Sequence, residues 1–374
     1  WFYNEGCDWR CEGMKIVTET FCPDGLVPGC FLSGEDVLFD IETTGLNWRR
    51  SHLYLIGAAV FCPENGRWKL TQWFADEPAR ELDLLEAFAE FLRPYRRLLH
   101  YNGAGFDLPY LRKKYEFYQQ ETPFSGMDTL DLYRRFRPFQ KMFGLSSMKQ
   151  KSLEAYAGFS RTDHFSGEEL IHVYEEYLAS GDKELLRLLH LHNREDLTGM
   201  TEFLSLYSIP SLFSGHFQPV SAAVDRQTRT LSFSLTADLP FTRPFETAAG
   251  ACSLSVSGQT ASLRVLGQER ELKFFFPDFK DYYYLPLEDT AIHKSVGIYV
   301  DPEHREKAKA SNCYQRHYGL YFPQPSELVT PVFREDHKAR QLYFEWQDSL
   351  AEDPDFLSRY ASAVLSDLCR QETS

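Results

Sequence analysis

The run Phe39-Asp40-Ile41-Glu42-Thr43-Thr44-Gly45 constrains what this chain can fold into more than any other stretch. With Val37 and Leu38 it makes an apolar segment that reads as a buried strand, and the two-residue period of a strand puts Asp40 and Glu42 on the same side of the sheet. Carboxylates in an apolar setting either take up a proton or hold a cation. Hard oxygen donors with no cysteine beside them suit Mg²⁺ or Mn²⁺, so the pair is read as part of a metal site.

From residue 36 to about 207 the pattern alternates strands with helices. Asp36–Ile41, His52–Phe61 and Lys69–Ala75 read as successive strands, separated by Gly45-Leu46-Asn47 and Pro63-Glu64-Asn65-Gly66. Glu81 to Leu92 keeps the 3.6-residue period of a helix and stops before Pro94. Arg97–Tyr101 is a fourth strand, Leu108–Tyr118 a second helix, and Asp182–Tyr207 one long or broken helix. These elements predict an α/β domain with a mixed sheet. Ser208-Ile209-Pro210-Ser211 is expected to end the last helix. Beyond it, short alternating runs over 228–276 read as antiparallel strands, and helices are expected near 302–312, 333–349 and 354–369. The expected organisation is a lead-in over 1–35, the α/β domain over 36–210 and a smaller α+β domain over 211–374.

At 374 residues, with 43% hydrophobic content, the chain has the makings of two or three well-packed cores. No apolar run reaches the roughly 18 residues of a membrane span. Asp8, Arg10 and Glu12 occupy the place of a signal peptide's apolar region, which points to the cytoplasm. Met14-Lys15-Ile16-Val17 reads as a natural start, with residues 1–13 as an added extension. The spacings Cys7 to Cys11 and Cys22 to Cys30 lack the partners of a zinc site, so free thiols are expected. The net charge of −14 argues against a polyanionic partner, yet residues 93–151 carry twelve basic side chains against five acidic ones. The middle of the chain is locally basic.

Two further positions extend the carboxylate pattern. In His100-Tyr101-Asn102-Gly103-Ala104-Gly105-Phe106-Asp107 a strand runs into a glycine-containing loop, and Asp107 is expected to cap the helix that follows. In His192-Asn193-Arg194-Glu195-Asp196, His192 and Asp196 share one helix face at i and i+4. Alone, each piece has a plainer reading as a strand end, a helix cap or a helix-surface pair. Their order on strand, junction and helix is the stronger signal.

That order resembles the three exonuclease motifs of the DEDD superfamily, 3′ to 5′ exonucleases of the ribonuclease H-like fold. Residues 36 to about 207 resemble most closely the prokaryotic ribonuclease H-like domain of predicted exonucleases, including Leu145-Ser146-Ser147-Met148-Lys149-Gln150-Lys151-Ser152-Leu153-Glu154. The resemblance implies a ribonuclease H-like mixed sheet with flanking helices. It also implies two Mg²⁺ or Mn²⁺ ions held by Asp40, Glu42, Asp107 and Asp196, with Asp40 bridging, and cleavage of single-stranded DNA or RNA from the 3′ end. Paired metals of this kind activate a water and stabilise the leaving oxygen of a phosphodiester. The family's tyrosine branch has Tyr four residues before the last Asp and its histidine branch has His five before. Here His192 holds the tyrosine spacing and Leu191 the histidine spacing. His192 is the candidate general base, because imidazole titrates near neutrality.

The rival readings are a nucleic-acid-binding module with a vestigial site, opposed by the complete carboxylate set, and a sugar-kinase or actin-like ATPase, opposed by the lack of a glycine-rich phosphate loop. Of Asp128 and Asp131, Asp128 is a candidate either to support the site from a fifth strand or to cap the next helix. In the C-terminal half, Tyr282-Tyr283-Tyr284 with Lys280, His293, Lys294, Arg305, Lys307, Lys309, Arg316 and His317 allows a stacking surface for single strands, although a strand that buries one face of its tyrosines is the favoured reading.

Overall fold

The apolar run around Phe39 forms an inner strand of a six-stranded sheet. The computed structural model describes residues 14–23 and 31–373, and the extension read over 1–13, with Cys7, Cys11 and Cys30, lies outside them. The structure divides at Pro210 into two compact units.

The first unit contains β1 (Met14–Phe21), β2 (Asp36–Thr43), β3 (Leu53–Cys62), β4 (Arg67–Ala75), α1 (Glu81–Leu92), β5 (Arg97–His100), α2 (Asp107–Phe117), β6 (Asp128–Asp131), α3 (Leu132–Phe136), α4 (Gln150–Ala157), α5 (Gly167–Ser180) and α6 (Lys183–Phe203). The strand order is β1-β4-β3-β2-β5-β6. The first four strands pair antiparallel, whereas β2, β5 and β6 run parallel, which makes the sheet mixed.

Alternation along β2 explains how the sheet is covered. Val37, Phe39 and Ile41 share one core with Leu84, Leu85 and Phe88 of α1 and Leu111 and Tyr115 of α2. Asp40 faces the other side, where Asn193 of α6 donates to it. On that side Tyr54, Leu55 and Phe74 pack with Leu170 and Tyr174 of α5 and Leu189 of α6.

Three expectations need correction here. Residues 14–21, read as lead-in, form the edge strand β1 along the whole of β4. Every residue of β1 except Thr20 is only partly buried, so the strand has no periodic signature and exists through its ladder. Asp107 is the first residue of α2 and not its cap, since Phe106 holds the cap position. Ser208-Ile209-Pro210-Ser211 does not end a helix: α6 stops at Phe203, and α7 (Ser208–Phe213) begins just before Pro210, where a missing N–H costs nothing. Among the described residues no helix is long and apolar enough to cross a membrane.

The second unit is richer in strands. It has β7 (Phe217–Asp225), β8 (Thr230–Ala249), β9 (Cys252–Leu266), β10 (Gln268–Phe275), β11 (Tyr282–Leu285), β12 (Thr290–His293), the short α8 (Lys294–Gly297), β13 (Glu306–Lys307), β14 (Tyr314–Gln324), β15 (Phe333–Arg334), β16 (Leu342–Glu345) and α9 (Pro354–Thr373). β7-β8-β9 form one sheet, β10-β14-β16-β15 close a small barrel, and β12-β11-β13 form a third sheet. Of the two or three helices expected near 302–312, 333–349 and 354–369, only α9 exists. Residues 302–312 hold a single 3-10 turn and β13, and 333–349 hold β15 and β16, because Phe333 and Tyr343 are drawn into the barrel core with Leu272 and Tyr321. Helical spacing in those segments is outweighed by cross-strand burial. The unit is α+β through α9, whose Tyr360 ring lies 5.6 Å from Phe233 of β8.

Tyr282 and Tyr284 pack into a buried cluster with Ala291 and Ala308, so β11 buries one face of its tyrosines. Tyr283, on the other face, carries Arg305 4.7 Å and Lys294 5.8 Å above its ring. Cys22, Cys62, Cys252 and Cys313 are free thiols.

Candidate metal centre

Asp40 and Glu42 reach the α6 side of the sheet because they stand two residues apart on β2. Asp107 approaches from the junction of β5 and α2. Gly103 makes room for it, since a Cβ there would lie 2.9 Å from the His100 ring and 3.0 Å from an Asp107 carboxylate oxygen. Asp196 comes from α6, one helical turn after His192.

The four carboxylates are close enough to act on one another. Burial raises Asp40 and Glu42 well above the usual carboxylate range, and the charge of Asp196 adds to both shifts. Burial likewise lifts Asp107 to about 7, partly offset by backbone hydrogen bonds from Asp107 itself and Ile41. Like charges gathered in a low-dielectric site either take up protons or hold a cation. Glu42, His192 and Asp196 each offer a ligand atom within 4.8 Å of the others, and the oxygen-rich donor set fits a hard divalent ion.

His192 is buried and held through Nδ1. Its Nδ1 lies 2.6 Å from Asp163 Oδ2, and its Nε2 faces Asp196 Oδ2 at 3.3 Å and Glu42 Oε1 at 3.8 Å. Burial works against ionised Asp163, but the Phe165 N–H and the imidazole outweigh it and keep its carboxyl below the usual range.

The structure thus brings Glu42, His192 and Asp196 within 4.8 Å of one another, places Asp40 and Asp107 within reach of the Asp196 charge, and adds other residues. Asn193 donates to Asp40 at 2.9 Å and accepts from Gln72 at 2.9 Å. Arg161 donates to Glu154 and, at 2.5 Å, to Asp196. Gln150 donates to the Asp196 backbone carbonyl at 2.8 Å. Asn193 and Gln150 stand inside motifs visible in the sequence. Arg161 and Asp163 lie in a segment without periodicity and give no such signal. Asp131 caps α3, and its charge adds to the upward shift of Asp107, while Asp128 is exposed at the start of β6.

Gly57 sits opposite Asp40 in the β2–β3 ladder, and a Cβ there would fall 2.0 Å from Asn193 Oδ1. Gly57→Ala is expected to push Asn193 off Asp40 and to cost about 1–3 kcal/mol by overpacking. Denaturant unfolding checks this, and a variant as stable as the parent contradicts it.

Residues 37–206 match the RNase H superfamily. No curated protein matches the chain. Among solved structures, a family B DNA polymerase from Pyrobaculum calidifontis is 18% identical at a TM-score of 0.37, over 48% of this chain and 26% of the polymerase. E. coli exonuclease I in complex with a dA16 oligonucleotide is 13% identical at a TM-score of 0.28, over 54% of each chain. A product-bound exonuclease I is 11% identical at 0.30, over 90% of this chain and 72% of its own. The chain therefore spans about a quarter of the polymerase and about half of the oligonucleotide-bound exonuclease. The family match and the mixed sheet with flanking helices agree, and residues 37–206 are an RNase H superfamily domain.

Proposed function

We propose that the chain is a divalent-metal-dependent nuclease, a 3′ to 5′ exonuclease on single-stranded DNA or RNA. The observation that carries this reading is the grouping of Glu42, His192 and Asp196 within 4.8 Å of one another, with Asp40 two residues from Glu42 on the same face of β2 and Asp107 near enough to feel the charge of Asp196. The polarity rests on the resemblance of their motifs.

Asp40, Glu42, Asp107 and Asp196 would hold two Mg²⁺ or Mn²⁺ ions. Bound there, such ions supply an activated water and charge stabilisation at the phosphodiester. The chain's own residues do the positioning. With Nδ1–H donated to Asp163, His192 keeps its Nε2 lone pair for the proton of the attacking water. Asn193 holds the Asp40 carboxylate against rotation. Past the end of β2, exposed Leu46 and partly buried Trp48, with Arg49 4.9 Å from the indole, line an open surface depression suited to bases and phosphates.

End-labelled DNA and RNA oligonucleotides incubated with Mn²⁺, with and without chelator, test the proposal. A ladder shortening from the 3′ end only with metal is expected. Intact oligonucleotide at millimolar Mn²⁺ sinks it, and binding without cleavage leaves a vestigial site. His192→Ala should lower the rate by about 10²- to 10⁴-fold, the range for a positioned acid or base. His192→Tyr should recover part of the activity, because a phenol at this spacing can orient the same water. A rate unchanged in His192→Ala removes the imidazole from the proton transfer.

A further inference from the structure

The segment between α4 and α5 has no regular structure, yet three consecutive residues of it engage one face of α6. Arg161 reaches Asp196, Thr162 reaches Glu195 and Asp163 reaches His192. Positions 192, 195 and 196 share a helix face, so the loop meets them together. Glu195 is buried and serves as the anchor. It accepts from the Thr162 N–H at 2.9 Å, the Thr162 hydroxyl at 2.5 Å and the Asp163 N–H at 2.8 Å.

Anchoring the loop needs only Glu195 and Thr162, and apolar side chains on either side would avoid burying charge. Instead a guanidinium with 7% exposure and a carboxylate with 1% exposure flank the anchor. Arg161 uses Nε and Nη2 on Glu154, each at 2.6 Å, and Nη2 again on Asp196 Oδ1. That contact divides the Asp196 carboxylate: Oδ1 is held by Arg161, and Oδ2 is left facing His192 Nε2. Asp163, in turn, takes the Nδ1 side of the imidazole at 2.6 Å.

We propose that Arg161-Thr162-Asp163 is a positioning clamp, in which Asp163 fixes the His192 proton on Nδ1 and Arg161 fixes the orientation of the Asp196 carboxylate. The role assigned to the clamp rests on the nuclease reading above. Asp163 prevents the tautomer in which Nε2 would carry the proton and could accept none. Arg161 presets the carboxylate at 2.5 Å, where Gln150 reaches the same oxygen only at 3.4 Å, and its planar fork does this where a point charge would not.

Two conservative variants and one spectroscopic measurement test this. Nitrogen-15 NMR of the metal-free parent chain, at a pH where the His192 imidazole carries a single proton, should show that proton on Nδ1. Asp163→Asn should slow cleavage by about 10²- to 10⁴-fold, the cost of a wrong tautomer or a lost base, with Mn²⁺ affinity at the parent value by calorimetry. Arg161→Lys keeps the charge and loses the fork, and should weaken Mn²⁺ binding by about 10- to 100-fold, as expected when a group that orients a ligand is lost. A neutral His192 with its single proton on Nε2 in the parent, or two folded variants with parent rate and parent Mn²⁺ affinity, overturns the clamp. If Asp163→Asn does not fold, the parent tautomer and Arg161→Lys decide. A parent chain that neither cleaves nor binds Mn²⁺ refutes the nuclease reading instead, and the tautomer measurement, made without metal or substrate, still tests Asp163.

Discussion

Asp196→Asn is expected to reduce phosphodiester cleavage by on the order of 10³-fold or more, comparable to deleting a main electrostatic contact of a catalytic site. The substitution removes a ligand charge and almost no volume. Its remaining carbonyl oxygen can still accept from Arg161, which now holds Asp196 Oδ1 at 2.5 Å. The fold should survive, because Asp196 is partly exposed and the α6 core contacts come from Leu189, Leu197 and Met200. Turnover of a labelled oligonucleotide, Mn²⁺ calorimetry and circular dichroism together check the expectation. A folded variant that digests substrate at the parent rate removes Asp196 from the centre.

Lys114→Ala is expected to produce the largest loss of stability, about 3–5 kcal/mol, the cost of leaving a buried charge without its partner. Lys114 and Glu81 pair at 2.8 Å with side chains only 5% and 2% exposed. Glu81 also accepts from the Leu53 N–H at 2.7 Å and the Tyr118 hydroxyl at 2.9 Å, and Lys114 donates to the Ser51 carbonyl at 2.7 Å. The pair ties α1 and α2 to the segment between β2 and β3, which carries Trp48 and Arg49. At roughly 2–4 °C per kcal/mol for a unit of this size, the melting temperature should fall by roughly 6–20 °C. The neighbouring pair Lys113–Glu116 lies on the surface, so Lys113→Ala should leave the melting temperature where it is. A Lys114→Ala shift as small as that control contradicts the buried-pair account.

What the sequence determined by itself is the set of strongly periodic elements and the residues carried at fixed offsets on them. β2, α1 and α2 follow from local pattern, and Asp40, Glu42, Asp107, His192 and Asp196 were legible because chemistry and spacing coincide in short stretches. Edge strand β1 and the barrel strands β15 and β16 were not. They are short or half-exposed, and their stability comes from ladders and burial against residues distant in the chain. Tertiary structure alone decided what surrounds the centre. Arg161 meets Asp196 across 35 positions, Asp163 meets His192 across 29, and Gln72 meets Asn193 across 121. A carboxylate ligand announces itself by residue type on a periodic strand or helix. The group that orients it needs only to arrive at about 3 Å with the right polarity, and any loop brought close by packing can supply it.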